Sequence, residues 1–329
     1  MPLIQKANDA GNKVLSVSNL STYFITKKGD VKAADDISFE LWKGEILCII
    51  GESGSGKTAT ALSILRLIEK PGKIISGSIL FNGADILKLP EKEMRSIRGN
   101  KISMIFQDAS SSLNPVMRIG DQITESLVLH LKLNKKEARA KALELLVSVG
   151  IPHARERFDE YPHQFSGGMK QRVMIAMALS CSPEVLIADE PTTALDVTIQ
   201  AQILDIFKGL KNTTSILYIT HDIGVVSEIA DRIIVMYAGK FIEKGDAKEV
   251  LSFPGHPYTR ALVNCLPSEK SKGRLVSIPG TIPGLIDLPE GCVFSPRCPD
   301  AMETCRKKTP AEVKISDKHS VRCHLYGAA

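Results

Sequence analysis

The chain has 329 residues, 43% hydrophobic and 24% charged, with a net charge of +5 at pH 7. That length and apolar content suit one large α/β domain with an extension, or two modest domains. So mild a charge permits a phosphate ligand without arguing for nucleic acid, and no run approaches the roughly 20 apolar residues of a bilayer span.

The opening MPLIQKANDAGNK lacks an apolar signal core, so residues 1–13 read as a tail and the chain is expected to be cytoplasmic. VLSVSNLSTYF (14–24) alternates apolar and polar residues as a half-buried strand does, and KKGD (27–30) reads as a turn. AADDISFELW opens a second strand, Lys43-Gly44 a turn, and Ile46–Ile50 a fully apolar strand. After GESGSGKT, the segment ATALSILRLIE has helical spacing and is expected to stop at Pro71-Gly72. Between about 108 and 180 the pattern is mostly helical. Ile119, Ile123, Leu127 and Leu131 share one face, and Asn134 with Glu137 forms a capping box ahead of Ala138, Ala142, Leu145, Leu146 and Val149. Strand-like runs return at 185–189, 215–220 and 232–239. Beyond Phe253 the chain is rich in proline and reads as a loop-rich appendage.

Gly51-Glu52-Ser53-Gly54-Ser55-Gly56-Lys57-Thr58 fits G-x-x-x-x-G-K-[ST], with an apolar strand before it and a helix after it. Glycines in that pattern let successive N–H groups turn inward around phosphates, and the helix adds its positive end. Lys57 supplies a charge to the β/γ oxygens of ATP, and Thr58 a hydroxyl to Mg²⁺. Thr60, one turn on, joins the expected nucleotide contacts. VLIADEP (185–191) ends a buried strand in two carboxylates: Asp189 suits the Mg²⁺ environment, and Glu190 can orient or deprotonate the attacking water.

Phe165-Ser166-Gly167-Gly168-Met169-Lys170-Gln171-Arg172 resembles the signature of ABC ATPases, with Phe for Leu and Met for Gln. A serine and two small residues at a helix start make a second anion site; the resemblance implies that it serves the nucleotide of an opposing subunit. The resemblance also assigns Gln107 to the Q-loop that approaches Mg²⁺ and the lytic water, Ala194-Leu195-Asp196 to the D-loop, and His221 to the switch that contacts the γ-phosphate. His130, His153, His163, His256, His319 and His324 read as surface or packing residues. For stacking on adenine, Phe24 is favoured over Tyr23, with core aromatics on an edge strand as the plainer reading.

The finer resemblance is to the ATP-binding subunits of dipeptide/oligopeptide (peptide/nickel) importers. FQDASSSLNPVMRIGDQITE (106–125), YPHQFSGGMKQRVMIAMAL (161–179), HPYTRALVNCLP (256–267) and IPGLIDLPEGCVFSPRCP (282–299) carry it. It implies an α/β P-loop NTPase (RecA-like) core with an antiparallel β subdomain, an inserted helical subdomain and a loop-rich, cysteine-containing C-terminal extension. The expected divisions are a tail at 1–13, the nucleotide-binding domain at 14–250 with its helical part near 108–180, and the extension at 251–329. The implied activity is ATP hydrolysis that powers peptide uptake, with nickel or another small solute as the alternative. Implied partners are a second, non-identical ATPase, two integral membrane permease subunits and, indirectly, an external solute-binding protein. The location is then peripheral, on the inner face of the cell membrane. A soluble ABC machine acting on nucleic acid is disfavoured: the Lys57–Ser166 interval leaves no room for coiled-coil arms, and no basic stripe is interleaved with aromatics.

Cys48 and Cys181 lie in apolar runs and read as buried thiols, and Cys265 is read likewise. Cys292, Cys298, Cys305 and Cys323 instead crowd one segment with few large apolar residues, where a cross-link would help folding. Disulfides are disfavoured by a reducing cytosol. A zinc ion takes four thiolates, though the spacing lacks the usual C-x2-4-C, and an iron–sulfur cluster tolerates wider spacing. The resemblance to peptide importers suggests a 4Fe-4S cluster; zinc and unligated thiols are the alternatives.

Overall fold

The computed structural model describes residues 12–193, 195–265 and 278–327. Two compact units are present. One, the helical unit, comprises Leu41–Glu45 and Lys88–Tyr218 with the described residues 12–15. The other, the phosphate-loop unit, comprises Ser16–Glu40, Ile46–Leu87 and the chain from Ile219 onward. The strands are β1 (Lys13–Thr26), β2 (Gly29–Trp42), β3 (Ile46–Ile50), β4 (Gly72–Phe81), β5 (Ala84–Asp85) and β6 (Ile102–Ile105). They continue with β7 (Val185–Asp189), β8 (Ser215–Thr220), β9 (Arg232–Tyr237), β10 (Lys240–Asp246), β11 (Glu312–Ser316) and β12 (His319–Arg322).

In the phosphate-loop unit every residue of β3 is buried, as expected of a strand covered on both faces. β3 runs parallel to β9, with Leu47 opposite Arg232 and Ile50 opposite Val235. The sheet continues antiparallel through β10 to β12 and β11. A second sheet has the order β2-β1-β4-β5. The helix after the glycine-rich loop is Lys57–Ile64, shorter than the apolar spacing predicts. Arg66 turns into the left-handed region (φ 53), and two reverse bonds close the end: Arg66 N–H donates to the Ser63 carbonyl, Leu67 N–H to that of Leu62. That is the Schellman pattern, here closed by an arginine where glycine is usual.

The proline-rich extension is also more ordered than a run of loops. β11 and β12 form a hairpin across Asp317-Lys318, and β12 pairs with β10 through Glu243 opposite Val321. The turn lacks Asn-Gly or Asp-Gly, the strongest short hairpin signals, so the sequence pattern passes it by.

In the helical unit, β6 and β7 are parallel, with Ile102 opposite Val185 and Ile105 opposite Ala188. Ile119, Ile123 and Leu127 are buried on the helix Ile119–Leu131, as their spacing predicts. The capping box is present: the Asn134 side chain accepts from Lys136 N–H and Glu137 N–H, and Glu137 Oε2 accepts from Asn134 N–H. Gly120 lets the Phe158 ring lie against the helix backbone. A Cβ there would lie 2.0 Å from the Phe158 ring.

Candidate nucleotide-binding site

In the phosphate-loop unit, β3 delivers the chain into the loop at Gly51. Gly56 has φ +103, and a Cβ on it would sit 1.9 Å from the Ala33 carbonyl oxygen, so the turn into the helix is closed to larger residues. Lys57 is buried, and its Nζ donates to the carbonyls of Gly51 (2.8 Å) and Glu52 (3.0 Å). The ammonium is thus held across the mouth of the loop by its own backbone. Ser53, Gly54 and Thr58 are exposed, whereas Ser55 is fully buried. Thr60 departs from expectation: it is fully buried and its hydroxyl donates to the Gly56 carbonyl (3.1 Å). It braces the loop from behind, a consequence of lying one turn along the helix on its core face.

Tyr23 and Phe24 are both half-buried on β1. The Tyr23 hydroxyl donates to Asp35 Oδ1 at 2.8 Å, and burial together with that carboxylate pushes the phenol up to about 12. The Lys32 ammonium sits 5.9 Å from the centre of its ring. Phe24 borders Gly72, where an added Cβ would lie 2.8 Å from its ring. His221 follows β8 and is exposed, and Asp222 beside it caps the helix Ile223–Ile229.

The helical unit assembles the second set. Because β6 and β7 are parallel and in register, the segments leaving their C-terminal ends emerge at one edge of the sheet, although 83 residues separate Gln107 from Glu190. Gln107 Nε2 donates to Glu190 Oε2 at 3.0 Å, and Thr193 Oγ1 donates to the same oxygen at 3.1 Å. Asp189 and Glu190 are both buried, at 2% and 9% exposure. Glu190 has φ 47, the left-handed region that glutamate rarely adopts. Such backbone conformations concentrate where a side chain must be aimed against local preference. Ser166 caps the helix Gly167–Leu179 by accepting from Met169 N–H. Ser166 and Gly167 are exposed, while a Cβ on Gly168 would press on Ile199 at 3.0 Å. Of the D-loop, Ala194 lies outside the described residues; Asp196 is exposed and caps the helix Val197–Leu210 through Ile199 N–H (2.9 Å).

Cys292, Cys305 and Cys323 are buried and Cys298 is partly so. Their thiols influence one another electrostatically. Burial pushes Cys292 up to about 11 and raises Cys298 and Cys323 as well. Among the described residues, no group of three or more His, Cys, Asp or Glu is placed to hold a metal ion. Four thiols are a donor set that a thiolate-bound centre could use, but their side chains are not drawn together around an ion.

Two residues to which the sequence assigned no role at the nucleotide, Tyr258 of HPYTRALVNCLP and Arg297 of IPGLIDLPEGCVFSPRCP, reach the phosphate loop. Tyr258 Oη accepts from Glu52 N–H at 2.9 Å, and the Arg297 guanidinium forks onto the Glu52 carboxylate at 2.9 and 3.2 Å. An aromatic after His-Pro and an arginine among cysteines offer no periodicity from which to infer this.

A strand–glycine-rich loop–helix with a buried lysine, and a strand ending in Asp-Glu beside a capped Ser-Gly-Gly helix, are the parts of a P-loop NTPase of the ABC type. Residues 34–193 match the family "ABC transporter", and residues 242–305 match "Oligopeptide/dipeptide transporter, C-terminal region". The dipeptide transport ATP-binding protein DppD of Bacillus subtilis is 51% identical over 95% of this chain and 95% of its own. The oligopeptide transport ATP-binding protein OppD of Salmonella typhimurium is 51% identical over 93% of this chain and 92% of its own. Among solved structures, the post-hydrolysis dimer of the ATP-binding cassette MJ0796, bound to ADP and Pi, superimposes with a TM-score of 0.65 at 27% identity. It covers 71% of this chain and 98% of that cassette. The chain belongs to the family of dipeptide and oligopeptide transport ATP-binding proteins.

Proposed function

We infer that this chain is the ATP-hydrolysing subunit of an ABC importer that takes up dipeptides or oligopeptides. The observation that carries the reading is the intact chemical set. The phosphate loop keeps its buried Lys57, and the Glu190 carboxylate is aimed by Gln107 and Thr193. We assign the backbone of residues 51–58 and Lys57 to the phosphates, and Phe24, ahead of Tyr23, to the adenine. Thr58, Asp189 and Gln107 would hold Mg²⁺, which when bound supplies charge neutralisation of the β- and γ-phosphates. Glu190 orients a water and takes its proton as the water oxygen bonds to the γ-phosphorus. The bond from that phosphorus to the β-phosphate bridging oxygen breaks, leaving ADP and inorganic phosphate. His221 contacts the γ-phosphate.

Ser166, Gly167 and Gly168 act on the nucleotide of a second, non-identical ATPase; the exposure of Ser166 and Gly167 at a 13-residue helix start supports this. Two integral permease subunits complete the machine. An open groove of about 570 Å³ on the helical unit, lined by Asp121, Glu125, Val128, Leu129, Arg139 and Phe158, is the surface offered to them. The chain would sit at the inner face of the membrane through these subunits; among the described residues no helix is long and apolar enough to cross it. Lys57→Ala should abolish ATP binding, and the intact chain should copurify from membranes with two integral proteins and a second ATPase. Wild-type ATP affinity in the variant, or isolation with nucleic acid in place of membrane proteins, would overturn the reading.

We also propose that the four-cysteine end carries a 4Fe-4S cluster. Four cysteines of one segment, three of them buried, support it. Iron and acid-labile sulfide in anaerobically purified protein test this; a colourless sample with stoichiometric zinc would refute it.

A further inference from the structure

Glu52 is the second residue of the phosphate loop, and each of its polar groups is engaged. Its carbonyl accepts from Lys57 Nζ, its N–H donates to Tyr258 Oη, and its carboxylate takes both arms of Arg297. Both outer partners come from the C-terminal extension, more than 200 residues along the chain. Neither is a casual surface contact. Tyr258 is fully buried, and the Arg297 side chain is 6% exposed. Arg297 further donates to Tyr237 Oη (3.2 Å) and to the carbonyls of Pro279 (2.8 Å) and Ile278 (3.3 Å). Tyr237 meets Tyr258 and Phe294 edge to face, Tyr258 and Phe294 meet at a tilt, and the ring centres lie 4.7 to 5.4 Å apart, so the groups that hold Glu52 are themselves packed in place.

The path behind Tyr258 is equally fixed. His256 Nδ1 accepts from Tyr258 N–H at 3.0 Å and caps the helix Pro257–Asn264. The turn before it is held by the buried Glu243 carboxylate, which accepts from Gly255 N–H (2.6 Å) and His256 N–H (2.9 Å). His319 of β12 bonds the same carboxylate at 2.6 Å.

We propose that Tyr258 and Arg297 are positioning residues of the nucleotide site: through Glu52 they hold the phosphate loop in the form that receives ATP. The inference rests on the functional reading above. Removing one neutral hydrogen bond should weaken ATP binding about fivefold, and removing the charged fork tenfold or more.

The test uses the assembled transporter, with ATP affinity measured by equilibrium binding and turnover measured over a range of ATP concentrations. Tyr258→Phe and Arg297→Gln should raise KM and Kd for ATP by those factors while kcat changes less than twofold. Arg297→Lys should recover part of the loss, because it keeps the charge without the fork. Glu52→Gln should weaken binding similarly, and the Glu52→Gln/Arg297→Gln pair should be no worse than Arg297→Gln alone. If Arg297→Gln fails to fold, Tyr258→Phe, which removes a single oxygen, still decides. ATP affinities within twofold of wild type, with only the melting temperature lowered, would make the contacts merely structural and overturn the proposal. A wild-type chain that fails to bind ATP would instead overturn the functional reading.

Discussion

Replacing Glu190 with glutamine separates two things its carboxylate does. The side chain is 9% exposed, and one oxygen accepts from both Gln107 Nε2 (3.0 Å) and Thr193 Oγ1 (3.1 Å). A glutamine of the same volume can keep an oxygen there and accept both bonds, so the segment after β7 should hold its shape. What disappears is the capacity to take a proton from water. General-base contributions run to roughly 10²–10⁴ in rate, about 3–5 kcal/mol of barrier. Phosphate release by the transporter purified with its partners should therefore fall by that factor at this site, with ATP affinity within about threefold of wild type. ATP held in a stable sandwich should be recoverable by rapid gel filtration. Single-turnover cleavage within about fivefold of wild type would show that Glu190 is not the base. Loss of ATP binding would show that its role is to shape the segment.

Gly120→Ala places a methyl 2.0 Å from the Phe158 ring, an overpacking that typically costs about 1–3 kcal/mol. Thermal unfolding should shift down by a few degrees, and Phe158→Leu in the same chain should recover part of it; no shift from the single change would refute the contact. Burial holds the His256 ring at about 4, below its ordinary 6.5. The folded ring stays neutral while the unfolded ring takes a proton, so its contribution is complete above pH 6.5 and drains as pH falls toward 4, at no more than about 1.4 kcal/mol per pH unit. His256→Asn, which keeps an acceptor for Tyr258 N–H, should flatten that part of the stability profile in urea titrations; an unchanged slope between pH 6.5 and 4 would count against it.

What could be read from the sequence was what depends on near neighbours. The phosphate loop, the Asn134–Glu137 box and the buried runs of β3, β7 and β8 each carry their cause within about ten residues. Gln107 and Glu190 could be named separately but not paired, since their contact depends on the parallel register of β6 with β7. The early stop of the loop helix escaped because apolar spacing continues past Ile64, while an arginine takes the left-handed position that glycine would have announced. The burial of Thr60 is hidden for a related reason: proximity to the motif along the chain does not say which helical face a hydroxyl occupies. His256 and His319 carry the same lesson. Nothing local distinguishes a histidine at a solvated turn from one that closes a buried carboxylate.

Glu243 explains how a loop-rich stretch can hold a residue against the phosphate loop's own backbone. A buried carboxylate is costly unless its oxygens are satisfied, and here two backbone N–H groups and one imidazole satisfy them. That requirement ties three segments, β10, the His256 turn and β12, to one point, and any rearrangement of one leaves the charge short of a partner. Tyr258, on the helix that follows the fixed turn, packs on Tyr237 and Phe294, and Tyr237 Oη accepts from the same Arg297 guanidinium that forks onto Glu52. The extension thus acts on the nucleotide loop by ordinary satisfaction of polar groups and ring packing, without a residue of its own needing to touch the phosphates.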